Sequence, residues 1–343
     1  MGVPAGITPQ QDRSAWVDTL RGVACLMVVL HHVIGGAPDA GLRLATDHWL
    51  QMVNEALIFL RLPLFTLLSA LVYARRPIVP ETASRFLGRK ALVLLVPMMV
   101  LTVLHIVLRD LTVPSATPIS LGYVLESWTH WYAYLWYLQA LFVIFMVIGA
   151  LELLKITHSR IGLLACMGLA GIAHTLNTDI PFLSISGALY LGVFFLFGLY
   201  LHRFAASDVP RSLATLWLPV LLVAGFAISH GLALTTDLLE TPNRMSVFGV
   251  LYSMVLLFLV VRLRPNWPPL ARLGRHSYPI FLFHIFAVSG SRIVLQALGI
   301  ETLWILLPMG LLAGVVFALL VEAVAKRNGV SRFLLLGKLP KAS

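Results

Sequence analysis

The sequence predicts an all-α polytopic transmembrane helix bundle of about ten spans, with both termini on the cytoplasmic side, and three observations carry that prediction. The chain is 59% hydrophobic and only 12% charged, with a mean hydropathy of +0.89, far more apolar than a soluble domain. Apolar runs of the roughly 17–25 residues that cross a hydrocarbon core recur along nearly its whole length. The basic residues behind its net charge of +10 crowd onto alternate connections, leaving Arg43, Arg109 and Arg244 on the opposite ones. That bias is the positive-inside pattern. It attributes the basic charge to membrane insertion, so nucleic acid is not an expected partner.

In chain order the spans are expected at 18–37, 49–73, 88–109, 131–151, 161–177, 184–201, 213–231, 246–262, 277–298 and 303–325. The stretches "RRPIVPETASR" and "RLRPNWPPLARLGRH" read as connections, because proline interrupts helix hydrogen bonding. Residues 1–17 form an expected cytoplasmic segment, 18–325 the bundle and 326–343 a basic cytoplasmic tail. The first 17 residues lack the basic-then-apolar layout of a cleavable signal. Cys25 and Cys166 both fall inside spans, which supports neither a disulfide framework nor a metal site.

The first span, "DTLRGVACLMVVLHHV", carries Asp18 and Arg21 at one end and His31 and His32 well inside. At 100° per residue, Arg21 and His32 point within about 20° of each other, separated by about 16 Å along the axis. They share a face but cannot bond directly, so an elongated ligand could touch both. His31 points about 100° away from His32. A guanidinium at the membrane boundary suits phosphate or carboxylate, and an imidazole inside can move a proton. The alternative is that Arg21 snorkels to headgroups and His32 bonds a neighbouring helix. In the second span, Glu55 falls at the depth of His32 and is a candidate to orient its imidazole, while Arg61 falls near mid-membrane, where a charge is least tolerated. In the ninth span, Ser277, His284 and Ser291 recur every seventh residue and form one polar stripe.

These residues resemble the acyltransferase-3 family of integral membrane proteins, which transfer acyl groups, most often acetyl, to bacterial surface sugars and related acceptors. The opening stretch is similar to the family's arginine, ten residues, histidine signature, filled here by Arg21 and His32 with Asp18 at the usual acid. "LPLFTLLSALVYARR" resembles its second-span segment, with Ala70 where glycine is usual. "YLWYLQALF", with Trp136, resembles its aromatic segment, and "LGRHSYPIFLFHI", with Ser277, Tyr278 and His284, its late serine-tyrosine-histidine segment. The arginine pair that members carry at the start of the third span is replaced by Arg85, Arg89 and Lys90 in another spacing. No extended hydrolase-like domain follows the bundle, which matches the family's short form.

The resemblance implies an O-acyltransferase, foremost an O-acetyltransferase, of the bacterial cytoplasmic (inner) membrane. It would use acetyl-CoA or another acyl-CoA as co-substrate and no metal. Arg21, Arg85, Arg89 and Lys90 would bind the donor, and His32, with Glu55, would act on the acceptor hydroxyl; Asp18, Arg61, Trp136, Ser277, Tyr278 and His284 are further candidates. Expected partners are a glycan or lipid-linked sugar acceptor, the lipid bilayer and polysaccharide-assembly proteins. Trp128, Trp131, Tyr132 and Tyr134 suit either sugar stacking or an interfacial aromatic belt. Intramembrane charges would also suit a transporter or flippase for a glycan or other polar substrate, although the sequence shows no convincing internal symmetry.

Overall fold

A computed structural model of the chain describes residues 9–36, 40–112, 119–176, 178–205, 217–235 and 243–339. Among these the chain is helical, with one isolated bridge between His130 and Phe182. The helices are α1 (Pro9–Ile34), α2 (Trp49–Ala56), α3 (Arg61–Tyr73), α4 (Ala83–Thr112), α5 (Leu121–Thr129), α6 (Trp136–Leu153), α7 (Arg160–Thr175), α8 (Ile185–Arg203), α9 (Trp217–Thr235), α10 (Val247–Leu263), α11 (Pro268–Arg275), α12 (Ser277–Ala297), α13 (Leu303–Ala325) and α14 (Gly329–Leu336). Each of the ten expected stretches contains helix. Among the described residues seven helical segments are long and apolar enough to cross a membrane, or eight if the bent pair α10–α11 is one span. The segments at Arg160–Thr175 and Trp217–Gly231 are apolar but shorter. Of the expected terminal segments, residues 1–8 and 340–343 lie outside the described residues, and α1 already begins at Pro9, ahead of the expected 18.

The chain divides into two compact units, Met1–Leu68 with Val209–Val315 and Ser69–Asp208 with Val316–Ser343. In the first, α1 is the helix against which α2, α11 and α12 pack, and α9 packs on α10. Its buried side, Val17, Leu20, Ala24, Val28, Val29 and Val33, is apolar and small enough for close approach. Such shape matters here, because lipid tails are as apolar as leucine and helix association in a membrane rests on packing and interhelical hydrogen bonds. In the second unit α6 packs between α4 and α8, α7 packs on α8, and α14 lies along α4.

Two breaks position the site. The expected second span is not one straight helix: α2 ends in a 3-10 turn at Leu57–Phe59 before α3 starts at Arg61. Pro63 supplies the reason, since its ring cannot donate to the carbonyl of Phe59 and crowds it. The second break lies where "RLRPNWPPLARLGRH" was expected to be a connection. Pro265 does end α10 at Arg264, which turns left-handed with φ 44°. Yet Pro268 and Pro269 then start α11, at a bend of 117°, because proline fits the first helical turn, whose N–H groups need no intrahelical partner. Arg272 and Arg275 of that stretch therefore ride on a helix.

Candidate active site

The C-terminal end of α1 carries the two histidines apart, as their 100° separation requires. His31 turns to α2, where its Nδ1 lies 3.0 Å from Asn54 Oδ1. The same oxygen accepts from Arg61 Nη1 at 2.9 Å, and Asn54 Nδ2 donates to the Gly35 carbonyl at 3.0 Å. The partners fix the chemistry of this array: arginine only donates and a carbonyl only accepts, so the amide orientation is forced. His31 Nδ1 must then carry a proton. Asn54 and Arg61 are seven residues apart, which keeps both on one face through the 3-10 turn, and both are buried.

Glu55 does not take the place expected of it. Asn54 occupies the inward position, and Glu55, one residue and about 100° further round, is exposed. Among the described residues no hydrogen bond or ion pair joins it to His32. The dyad read from their matched depth is corrected to a neutral amide that holds His31 and Arg61.

His32 turns instead toward α12. Its ring centroid lies 5.0 Å from that of His284 and 4.9 Å from that of His31. His284 is fully buried, with Nδ1 at 2.9 Å from the carbonyls of Ile280 and Phe281, so Nδ1 carries the proton there too. His32 also lines a cavity of about 250 Å³ whose far wall is Ile285, Val288, Ser289 and Arg292. Those four follow the i, i+3, i+4, i+7 pattern of a single helix face. The mouth is shaped by the return of the chain after α1. Leu42 N–H donates to the Ile34 carbonyl at 3.0 Å, Gly35 and Gly41 take left-handed φ of 101° and 57°, and Arg292 Nη1 donates to the Gly41 carbonyl at 2.6 Å. A side chain at Gly41 would collide with the backbone of Ile34 and Gly35.

Three turns away, Arg21 Nη1 lies 3.6 Å from Asp18 Oδ1, an i, i+3 pair in which both side chains remain partly accessible. This end of α1 is gripped by α11. Gly22 faces the Leu270 backbone and Gly274 the Asp18 backbone so closely that a Cβ at either would collide. Trp267 N–H donates to Thr19 Oγ1 at 3.2 Å. The helix that carries exposed Arg272 and Arg275 thus lies against α1 at the level of Arg21. Ser277 is buried, its carbonyl 3.9 Å from Cys25 Sγ, and Tyr278 follows it, half-buried, at the start of α12.

The remaining candidates belong to the second unit. On α4, Arg85 and Arg89 are four residues apart and exposed on one face, whereas Lys90 points toward α6 with Nζ 3.7 Å from the centre of the Phe145 ring. Trp136 stacks on Trp131 at 4.2 Å, and Gly187 leaves it room. Among the described residues no group of three His, Cys, Asp or Glu side chains is arranged to hold a metal ion.

Asn54, Arg292 and the α11 arginines were missed from the sequence. Arg292 had a signal, an ionisable residue inside an apolar span, and it directly follows the Ser291 of the polar stripe. No curated protein and no solved structure matches the chain. The model of the acyltransferase-3 family, described as an acyltransferase domain, matches residues 14–324 and so takes in α1 through α13 nearly whole. A multi-pass apolar bundle matched over that span belongs to the acyltransferase-3 family: the chain is a membrane acyltransferase.

Proposed function

We propose that the protein is an O-acyltransferase of a bacterial cytoplasmic membrane that moves an acetyl or other acyl group from an acyl-CoA to a hydroxyl of a surface polysaccharide or lipid-linked glycan. The observation that carries this reading is that His32, on the face of α1 it shares with Arg21, lines a cavity large enough for a sugar ring. Arg21, with Arg272 and Arg275 on the helix beside it, suits the anionic nucleotide end of the donor. The pantetheine arm would run along α1 toward His32, an extended thiol arm matching the about 16 Å between the two residues.

A sugar hydroxyl is too weak an acid to ionise beforehand, so the base must take its proton as it attacks. The imidazole of His32 takes that proton while the hydroxyl oxygen bonds to the thioester carbonyl carbon. The carbon–sulfur bond then breaks, and the leaving thiolate recovers the proton from the imidazolium. His284, against the His32 ring, and His31, held by Asn54, would limit how that ring can turn. Asp18 would keep Arg21 oriented, and Arg61 would act through Asn54 rather than on substrate.

Purified protein in proteoliposomes, given acetyl-CoA labelled in the acetyl group and a sugar acceptor, should move label into the glycan fraction. Replacement of His32 by Ala should lower that rate by about 10²–10⁴, the usual worth of a positioned general base. Transfer at the wild-type rate by the variant would remove His32 from the chemistry.

A further inference from the structure

Four arginines of the first unit, Arg43, Arg61, Arg244 and Arg292, lie about the His32 end of α1. Arg292 lines the cavity itself. Arg43, two residues beyond the Gly41 carbonyl that Arg292 holds, acts electrostatically on Arg292, as Arg61 and Arg244 do on His31. Arg43 and Arg244 are two of the three basic residues on the connections that the charge bias left nearly bare of them. Among the described residues that line the cavity none is acidic; Asp39 lies outside the described residues. A guanidinium offers five N–H donors in a fixed fork, and the hydrogen bond that holds Arg292 uses one nitrogen, on Gly41. Setting such a group in an apolar span is costly unless it meets charge or function.

We propose that the acceptor is an anionic sugar, and that Arg292, assisted by Arg43, binds its carboxylate or phosphate while a hydroxyl of the same or the adjoining ring meets His32. This rests on the acyl-transfer reading above and narrows its acceptor. His284, which touches His32, and Arg292 are eight residues apart, about 12 Å of helix. Helix side chains lean toward the N-terminus, so the long arginine reaches back toward His284 and shortens that span to the scale of a sugar ring or two. The fork of Arg292 suits a bidentate hold on a carboxylate or phosphate edge. Pinning Gly41 with the same guanidinium ties the cavity mouth to acceptor binding.

The test compares octyl glucoside, octyl glucuronide and octyl glucoside 6-phosphate as acceptors in proteoliposomes with acetyl-CoA. Wild-type protein should favour one of the anionic sugars over the neutral one at least tenfold in kcat/KM, and which of the two is favoured separates carboxylate from phosphate. Arg292→Gln keeps a polar side-chain N–H but removes the charge and the fork; it should reduce that ratio at least tenfold. Arg43→Ala should reduce it less, by an amount that shrinks in high salt. A second readout needs no turnover: in the His32→Ala protein the favoured anionic sugar should raise the melting temperature, and adding Arg292→Gln should abolish the rise. Label transfer with no anionic preference would overturn this proposal and leave the acyl-transfer reading standing. Saturable binding of the anionic sugar through Arg292 without His32-dependent transfer would overturn the acyl-transfer reading and leave only an anionic-sugar binding site at Arg292. A preference that survives Arg292→Gln would assign recognition elsewhere and overturn the proposal.

Discussion

Asn54 and Glu55 are neighbours in sequence with opposite fates, and a single helical step separates a buried junction from an exposed carboxylate. Removing Asn54 leaves the buried Arg61 guanidinium and the His31 N–H without the oxygen they share, a loss of about 1–3 kcal/mol. Asn54→Leu should therefore lower the melting temperature in lipid nanodiscs, while Glu55→Gln should change stability by less than about 0.5 kcal/mol. Equal losses in the two variants would contradict the assignment of the inward position to Asn54. The shared face of Arg21 and His32 was legible in the sequence because both lie on one unbroken helix, where spacing alone sets direction. Asn54 was not, because its direction depends on the 3-10 turn that Pro63 imposes downstream. Arg292 was legible only as an anomaly, its meaning supplied by the cavity it faces.

At the scale of elements, α11 is where the sequence misled and why is instructive. Its prolines signal a break wherever they stand, and the same residues at the first turn of a helix signal a start; only the run that follows, "LARLGR", with alanine and glycine set inward, separates the two readings. The close pair Gly22 and Gly274 fixes α11 on α1. Gly274→Ala forces its methyl into the Asp18 backbone, and an overpacked contact of this kind costs about 1–3 kcal/mol. Gly290→Ala, in α12 with open space at the Cβ, should be neutral or stabilising by up to about 1 kcal/mol, since alanine is the better helix former. Thermal melts of the two variants read this difference directly. If α11 also presents Arg272 and Arg275 to the donor, Gly274→Ala raises the KM for acyl-CoA more than it lowers kcat. Within the second unit the corresponding anchor is ionic. Arg203 on α8 meets both oxygens of the fully buried Glu152 carboxylate on α6, at 2.8 and 2.9 Å, and Thr157 bonds the same group. Glu152→Ala strands a buried guanidinium and should cost about 3–5 kcal/mol. A melt unchanged in that variant would show that the pair is solvated and dispensable.

For the molecule as a whole, composition made the class of fold plain, since a chain this apolar has no soluble alternative, and every expected stretch holds helix. The number of crossings is less direct, because the helix at Arg160–Thr175 is short for a bilayer and α10–α11 is bent. Parity decides between the counts. Both termini lie on the same side for eight or ten crossings and on opposite sides for seven; the positive-inside pattern predicts the same, cytoplasmic, side. Single cysteines placed at Arg332 and at Arg43, in a background without Cys25 and Cys166, should react with an impermeant maleimide from opposite faces, Arg43 from outside.

The central claim, that His32 acts on an acceptor hydroxyl in acyl transfer, is tested most directly in cells. The surface and lipid-linked glycans are weighed by mass spectrometry from cells with the wild-type protein, with none, and with His32→Ala at equal membrane abundance. The account predicts that one glycan loses the mass of one acyl group in both the null and the variant, and that the glycan concerned carries a carboxylate or phosphate. An acyl pattern intact in the variant but lost in the null would contradict the role of His32, and loss of a whole glycan from the surface would point to export in place of acylation.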